Sequence, residues 1–179
     1  MAVIAIIYGS ETGNTEKVSQ SIKSKLDSKF GETVADVFNV TDITPETFAE
    51  YSMFILGAST WNIGDIQANW ENFLPEMDKI DLNNKIAAVF GLGDQEGYID
   101  NFVDGMGTLA KKVGERNGTI VGNWPTSGYE FNKSTATIDD KNFYGLAVDE
   151  DQQADQTEER VSQWTEKLIK EMCLEEVFS

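Results

Sequence analysis

The feature of this chain that most constrains its fold is the alternation of short apolar runs with segments of helical periodicity. Residues 3–8 form a continuous apolar run, which is typical of a strand buried on both faces of a sheet. A helical stripe follows, with apolar members four residues apart: Val18, Ile22, Leu26 and Phe30. Strands that alternate with helices are joined by right-handed crossovers, so this order predicts a doubly wound α/β fold with a mostly parallel sheet and helices on both faces.

The same alternation continues along the chain. Further strands are predicted in four apolar runs: 34–40, 53–56, 86–92 and a fifth strand that starts at 119–121. Further helices are predicted where apolar residues recur at helical spacing: around 70–77, 102–113 and 161–172. Gly118 is expected to cap the helix before it. A polar insertion at about 123–142 interrupts the fifth strand, which resumes near 143–148, and residues 1–179 are predicted to form one domain.

Charge and composition exclude several classes of function. The 31 Asp and Glu outnumber the 14 Lys and Arg, so the net charge is −17, and neither nucleic acid nor membrane is an expected partner. The chain has no histidine and a single cysteine, Cys173, so zinc, copper and haem sites are not expected. The lone cysteine fits a reducing compartment, and residues 1–8 lack the features of a signal peptide, which together predict a cytoplasmic protein.

Ligands of such folds bind beyond the carboxyl ends of the strands, where the strand order reverses. The loop after the first strand, residues 9–15, brings hydroxyls, an amide and a glycine to the start of a predicted helix. Unpaired N–H groups and the helix dipole favour a phosphate there. The loop lacks the lysine of a Walker motif and the glycine spacing of a dinucleotide site. Taken alone, it is equally well explained as a hydroxyl-rich helix cap.

The loops after the third and fourth strands each place an aromatic residue at a strand end. Residues 58–65 contain Trp61, and the glycine-rich residues 91–98 end at Tyr98. A lone tryptophan more often belongs to the core or the surface than to a ligand site. A phosphate cradle combined with an aromatic residue on each of two neighbouring loops nevertheless indicates a slot for a flat ring with a phosphate tail.

In these motifs the chain resembles the flavodoxins. Residues 10–15 match the phosphate signature (S/T)-x-T-G-x-T, and residues 60–64 and 93–98 are similar to the loops that flank the flavin ring in that family. The resemblance extends from Ile4 to about Met172, and the interrupted fifth strand resembles that of the long-chain members. It implies a flavodoxin-like sheet of five parallel strands in the order 2-1-3-4-5.

The resemblance implies that FMN is bound noncovalently. The first loop would hold its phosphate: Ser10, Glu11, Thr12, Gly13, Asn14 and Thr15. Trp61 and Tyr98 would sandwich its ring. Further contacts would come from neighbouring positions: Ser59, Thr60, Asn62, Ile63, Gly64, Leu92, Gly93, Asp94 and Asn101. Ser59 stands where many members of the family have proline. Ile63 is expected at the positive-φ corner of a type II turn, where isoleucine is unfavourable. Residues 174–179 are assigned no role.

The resemblance also implies an electron-transfer protein and not an enzyme, with neither a catalytic residue nor a metal. Its expected function is that of a low-potential one-electron carrier between redox proteins, and carboxylates near the ring are expected to lower the potential: Asp65, Glu71, Asp94 and residues 149–151. Donors and acceptors in the family include ferredoxin–NADP reductase, photosystem I and nitrogenase components. A monomer that does not insert in membranes and docks weakly on basic partner surfaces is expected.

Three alternative interpretations share the fold class. An FMN-dependent quinone or nitro reductase needs substrate access to the ring, which Trp61 and Tyr98 would cover. A receiver-type signalling domain needs acidic residues where 9–10 and 57–58 stand, and this chain has none at those positions. A cofactor-free interaction module would not absorb visible light.

Overall fold

The computed structural model of the chain describes residues 2–179. The strands, in chain order, are β1 (Ile4–Gly9), β2 (Ala35–Asn39), β3 (Met53–Trp61), β4 (Asp65–Ile66), β5 (Ile86–Leu92), β6 (Thr119–Val121), β7 (Trp124–Pro125), β8 (Asn142–Phe143) and β9 (Leu146–Val148). The helices are α1 (Asn14–Phe30), α2 (Ala68–Met77), α3 (Asp104–Glu115), α4 (Thr157–Glu171) and α5 (Leu174–Val177). Short 3-10 turns lie at Val40–Asp42, Pro45–Ala49 and Ala154–Gln156.

The central sheet runs in the order β2-β1-β3-β5, and the outer edge of β5 is shared by β6 and β9. All of these pairs are parallel. β6 pairs with the first half of β5 and β9 with its second half, so together they form the interrupted fifth strand. The predicted doubly wound fold and strand order are therefore confirmed.

Hydrophobic clusters cover both faces of the sheet. Along β1, Ala5 and Ile7 point to the cluster under α2 and α3, whereas Ile4 and Ile6 point to the cluster under α1 and α4. Side chains of a strand alternate between the faces, so a strand buried on both sides reads as a continuous apolar run. Burial on both faces therefore explains why residues 3–8 form a continuous apolar run. Each fully buried aliphatic side chain contributes about 1.5–3 kcal/mol to the stability of the fold.

Several predicted boundaries differ from the structure. The residue in the left-handed region after α3 is Asn117, with φ 68°, and not Gly118. Gly118 follows it: its N–H donates to the carbonyl of Val113 at 3.0 Å, which closes the helix end, and a Cβ there would lie 2.7 Å from Cγ1 of Val113. Phe102 precedes α3 and does not belong to it. β3 continues beyond the predicted 53–56 to Trp61, because it pairs with β5 as far as Ser59 and with β4 at Thr60 and Trp61.

The insertion has a structure of its own. β7 and β8 form an antiparallel pair in which Phe143 lies opposite Trp124, so the fifth strand resumes at β9 and not at residue 143. The rings of Tyr129, Phe131 and Phe143 pack around Phe102, with centroid distances of 5.7, 5.4 and 6.0 Å. The aromatic packing fixes the insertion against the segment that leads into α3.

Residues 174–179 also have a packing role. Leu174 at the start of α5 is fully buried among residues of α1 and α4. The ring of Phe178 lies 5.2 Å from that of Phe30 at the end of α1. Within residues 2–179, no helix is both long enough and apolar enough to cross a membrane.

Candidate functional site

A cleft of about 300 Å³ opens beyond the carboxyl ends of β1, β3 and β5. Its walls come from all three predicted loops and from the segment after β9: Thr12, Asn14, Thr15, Ser59, Thr60, Trp61, Leu92, Gly93, Asp94, Tyr98, Glu150 and Asp151. The position is the one expected for a ligand of an open α/β sheet. The volume lies at the lower end of the range for small-molecule sites.

The loop between β1 and α1 is organised around an exposed helix terminus. Gly13 has φ 88°, and its N–H donates to Oγ of Ser10 at 2.8 Å, which closes the turn. Within residues 2–179, no side chain caps the start of α1. The first N–H groups of the helix are therefore available to an anion, beside the hydroxyls of Thr12 and Thr15.

The second loop is a tight β3–β4 hairpin that presents Trp61 to the cleft. The indole N–H of Trp61 donates to Oγ of Ser59 at 2.9 Å, so the serine found in place of proline holds the indole. The positive φ angles lie at Asn62 (49°) and Gly64 (87°). The expectation of a positive φ at Ile63 is therefore wrong, and Ile63 forms the tip of the hairpin with 85% of its surface exposed.

The hairpin is tied to α3 by hydrogen bonds and close packing at the start of the helix. Oγ1 of Thr60 accepts the N–H of Gly105 at 2.8 Å, so this hydroxyl is engaged with the helix. Nδ2 of Asn101 donates to Oδ2 of Asp104 at 3.3 Å. A Cβ on Gly64 would lie 2.7 Å from Oδ2 of the same Asp104. Asn101 thus supports the hairpin and does not line the cleft.

The third loop is closed by the side chain of Asp94. Its Oδ1 accepts the N–H groups of Glu96 and Gly97 at 3.0 and 2.9 Å, and Nε2 of Gln152 at 3.0 Å. Burial by itself raises the pKa of Asp94, but the donors from Gly97, Gln152 and Glu96 outweigh it and lower the pKa below its ordinary value. The N–H of Tyr98 donates to the carbonyl of Asp94 at 2.9 Å, which fixes the aromatic residue at the cleft.

Acidic residues form one wall of the cleft. Glu150 and Asp151 line it; residues 149–151 were expected near the ring as carboxylates that lower the potential, but not among the FMN contacts. Burial raises the pKa of Asp151, and the charges of Asp94, Asp149 and Glu150 raise it further. Three consecutive acids directly after a strand were the signal in the sequence, since a parallel strand delivers them to the ligand edge. Asp149 itself is fully buried and belongs to the interior.

The predicted site residues divide into two groups in space. Those in the cleft wall are Thr12, Asn14, Thr15, Ser59, Thr60, Trp61, Leu92, Gly93, Asp94 and Tyr98. Those that shape the neighbouring turns are Ser10, Glu11, Gly13, Asn62, Ile63, Gly64 and Asn101. Asp65 and Glu71 are exposed, outside the wall.

The chain matches known proteins along nearly all of its length. A family model described as flavodoxin matches residues 6–164. The flavodoxin of Klebsiella pneumoniae is 42% identical over 177 residues, which cover 99% of this chain and 98% of the relative. Flavodoxin 1 of Escherichia coli K12 is 41% identical over 179 residues, with 100% and 99% coverage.

Solved structures agree with the sequence matches. The flavodoxin of Fusobacterium nucleatum bound to flavin mononucleotide superimposes with a TM-score of 0.87 at 29% identity, covering 96% of this chain and 99% of that one. The resemblance inferred from the loop motifs is confirmed. By its motifs, its strand order and its full-length relatives, the chain belongs to the flavodoxin family.

Proposed function

We propose that this protein carries single electrons on one FMN, which it holds noncovalently in the cleft beyond β1, β3 and β5. The observation that carries the proposal is the combination in one cleft of an uncapped helix start with Trp61 and Tyr98 on neighbouring loops. A planar ring with a phosphate tail fits that arrangement. The bound flavin supplies the redox chemistry, and the chain binds, orients and tunes it.

The first loop holds the phosphate in this proposal. Donors come from the hydroxyls and amide side chain of the loop and from its backbone N–H groups other than that of Gly13, at Ser10, Glu11, Thr12, Asn14 and Thr15. The N–H of Gly13 is already bonded to Oγ of Ser10 and holds the turn in shape. Residues 9–15 contain no Lys or Arg. The phosphate charge is therefore balanced by oriented dipoles at the start of α1, as in other anion-binding nests.

The second and third loops hold the ring. Trp61 and Tyr98 cover its faces, and each position is fixed by a hydrogen bond of its own loop. Backbone groups of Asn62, Ile63 and Gly64 face one edge of the ring. Those of Leu92, Gly93 and Asp94 face the other edge. The N–H of Gly93 already donates to the carbonyl of Val148 at 3.0 Å, so Gly93 contacts the ring through atoms other than its N–H.

The acidic wall lowers the potential of the bound flavin. Added electrons make the ring more negative, and the carboxylates of Asp94, Glu150 and Asp151 oppose that charge. One carboxylate about 10 Å away, in an effective dielectric of about 20, costs about 1.7 kcal/mol, on the order of 70 mV. Salt screens the effect, so several carboxylates together set the potential.

The proposed partners are redox proteins with basic docking surfaces, such as ferredoxin–NADP reductase, photosystem I or nitrogenase components. The net charge of −17 supports encounters of this kind. We propose that the chain acts as a single-domain monomer in the cytoplasm, a reducing compartment that suits its one cysteine.

The proposal is tested by the visible spectrum and the electrochemistry of the purified protein. We expect flavin absorption bands, release of FMN on denaturation, and two one-electron reduction steps, the second at a more negative potential than that of free FMN. A colourless protein whose stability does not respond to added FMN contradicts the proposal. Steady NAD(P)H-dependent quinone reduction would favour the reductase interpretation instead.

A further inference from the structure

The insertion contacts the loop that carries Tyr98 at several consecutive positions. The N–H groups of Asn132 and Lys133 donate to the carbonyl of Ile99 at 2.7 and 3.2 Å. The N–H of Phe102 donates to the carbonyl of Lys133 at 3.2 Å. The insertion at 132–133 is therefore bonded through the backbone to Ile99, the residue that follows Tyr98, and to Phe102.

Gln95 connects the insertion to Asp149, the residue that follows β9 in the sheet. Its side chain is 4% exposed. Its backbone N–H and its Nε2 donate to Oδ2 of Asp149 at 3.0 and 2.8 Å, and its Oε1 accepts the N–H of Glu130 at 2.6 Å. One buried amide thus joins the third loop, the end of β9 and the insertion.

The same Asp149 also holds the acidic wall. Its Oδ1 accepts the N–H groups of Asp151 and Gln152 at 3.1 and 2.9 Å. Nε2 of Gln152 in turn donates to Oδ1 of Asp94 at 3.0 Å, and the peptide bond between Asp94 and Gln95 completes a ring. We call this ring, which consists of Gln95, Asp149, Gln152 and Asp94, the amide–carboxylate circuit.

We propose that Gln95 is a positioning residue through which the insertion sets the shape of the ring-binding half of the cleft, and with it the affinity for the flavin ring. The inference rests on the proposed function, since it assigns Gln95 to the FMN site described above. Gln95 itself is not part of the cleft wall. It acts on groups that are: Asp94 and Tyr98 on its own loop, and Glu150 and Asp151 through Asp149.

The chemistry of the position explains why glutamine stands there. A donor must face Oδ2 of Asp149 and an acceptor must face the backbone N–H of Glu130. Asp149 is fully buried, so a carboxylate oxygen that loses its donor there is costly, whereas Glu130 itself lies at the surface. An apolar residue supplies neither group. A glutamate keeps the acceptor but sets a second carboxylate against Asp149, and a carboxylate pair of this kind takes up a proton at a raised pH.

The circuit does not include the phosphate loop. The turn at residues 10–13 is closed by its own bond between Gly13 and Ser10. Loss of Gln95 should therefore weaken binding of the ring and leave the phosphate contribution unchanged. In measured terms, FMN and riboflavin, which lacks the phosphate, should lose affinity by similar factors.

The test uses two variants of Gln95 and, as a control, one variant of a comparable glutamine, Gln153. Gln95→Leu removes the side-chain bonds to both neighbours at similar volume. Gln95→Glu keeps one bond and allows the other to return on protonation. Gln153→Leu is the control, because Gln153 also bridges to the insertion, donating to the carbonyl of Gly128 at 2.8 Å and accepting Nη1 of Arg160 at 2.7 Å, but lies outside the circuit.

The charged groups around the carboxylate that Gln95→Glu introduces influence its protonation. On its own loop they are Asp94 and Glu96, and on the insertion Glu130. After β9 they are Asp149, Glu150 and Asp151, and on α4 the nearby cation is Arg160, which lies over the ring of Tyr129 at 4.1 Å. Acids predominate, so the introduced carboxylate takes up a proton at a higher pH than an isolated glutamate would.

The measurement is the dissociation constant of FMN and of riboflavin for each full-length protein after FMN removal, with circular dichroism to check the fold. For Gln95→Leu we expect both constants to rise at least about tenfold at about pH 7.5. For Gln95→Glu we expect a similar loss at about pH 7.5 and recovery of most of it, relative to wild type, at about pH 5.5. Gln153→Leu should stay within about twofold of wild type, since it removes no bond of the circuit.

Each failure has a separate meaning. If wild type binds FMN and Gln95→Leu binds it equally well, the positioning role is refuted and the proposed function stands. If Gln95→Leu does not fold, Gln95→Glu decides, and a loss that is the same at both pH values refutes the role. If wild type binds no FMN, the proposed function and the inference both fall.

Discussion

Ser59 illustrates how a single residue sets the geometry of the cleft. A proline at this position would stiffen the strand end, whereas the serine accepts the indole N–H of Trp61 at 2.9 Å. Ser59→Ala should weaken FMN binding about fivefold, because a neutral hydrogen bond contributes about 1 kcal/mol. Fluorescence titration measures the constant, and Ser52→Ala, exposed at the opposite end of β3, is the control. Equal affinities for Ser59→Ala and wild type would show that the bond does not orient the indole.

The sequence predicts those site residues whose role follows from their own chemistry and their position after a strand. Trp61, Tyr98 and the hydroxyl loop stand out because their residue types suit a flavin and each follows a strand. The hydroxyl of Thr60 is different, since its partner is the N–H of Gly105 and that pairing depends on how α3 packs. The sequence placed residues 149–151 near the ring, but which of them reach the cleft depends on how β9 pairs with β5: Glu150 and Asp151 line the cleft and Asp149 is buried.

At the element scale, the carboxylate of Asp27 joins α1 to β2. It accepts the N–H groups of Val34 and Ala35 at 2.8 and 3.3 Å and Nζ of Lys23 at 2.6 Å. Burial by itself raises the pKa of Asp27, but these donors outweigh it and lower the pKa below its usual 3.8. A lowered pKa stabilises the folded state above pH 3.8, and the contribution disappears as the pH falls through the lowered value.

Asp27→Asn should therefore destabilise the protein in a pH-dependent manner. At about pH 7 the free energy of unfolding should fall by about 1–2 kcal/mol, because charged hydrogen bonds are replaced by weaker ones. Well below pH 3.8 the difference between the variant and wild type should shrink toward zero. Urea unfolding at several pH values measures it. A difference that stays constant across this range would mean that the charge of Asp27 contributes nothing.

The last helix is predicted to act on stability and not on the cofactor. Leu174 is fully buried, and α5 lies against α1 and α4, away from the cleft wall. Leu174→Ala should lower the free energy of unfolding by about 2–4 kcal/mol, as for other buried leucines. Val177→Ala is the control, because that side chain is 48% exposed. A marked change of FMN affinity in folded Leu174→Ala would contradict this separation.

Elements were predictable where the periodicity was strong, and their ends were less so. The strands and helices of the sheet follow directly from the alternation of apolar runs. Gly118 does close the end of α3, through its N–H on the carbonyl of Val113 at 3.0 Å, but the left-handed residue that a glycine commonly provides is Asn117, one position earlier. Phe143 was assigned to the fifth strand because an apolar residue before β9 looks the same whether it pairs with β5 or with Trp124. Packing decides that pairing.

At the scale of the whole molecule, the net charge of −17 should govern encounters with partners. Electrostatic steering raises association rates at low salt and loses strength as salt screens it. Electron transfer from the reduced protein to a strongly basic cytochrome, used as a probe, should slow at least about tenfold between about 10 mM and 500 mM salt. Stopped-flow kinetics measures the rate. A rate that does not depend on salt would exclude steering by charge.

The most direct measurement of the central claim is a titration of the FMN-free protein with FMN and, separately, with riboflavin. The cleft predicts one FMN per chain and riboflavin binding at least about a hundredfold weaker, since the loop at residues 10–15 would then lose several charge-assisted hydrogen bonds. Failure to bind FMN would contradict the assignment of the cleft. Equal affinities for the two flavins would contradict the role of the uncapped start of α1.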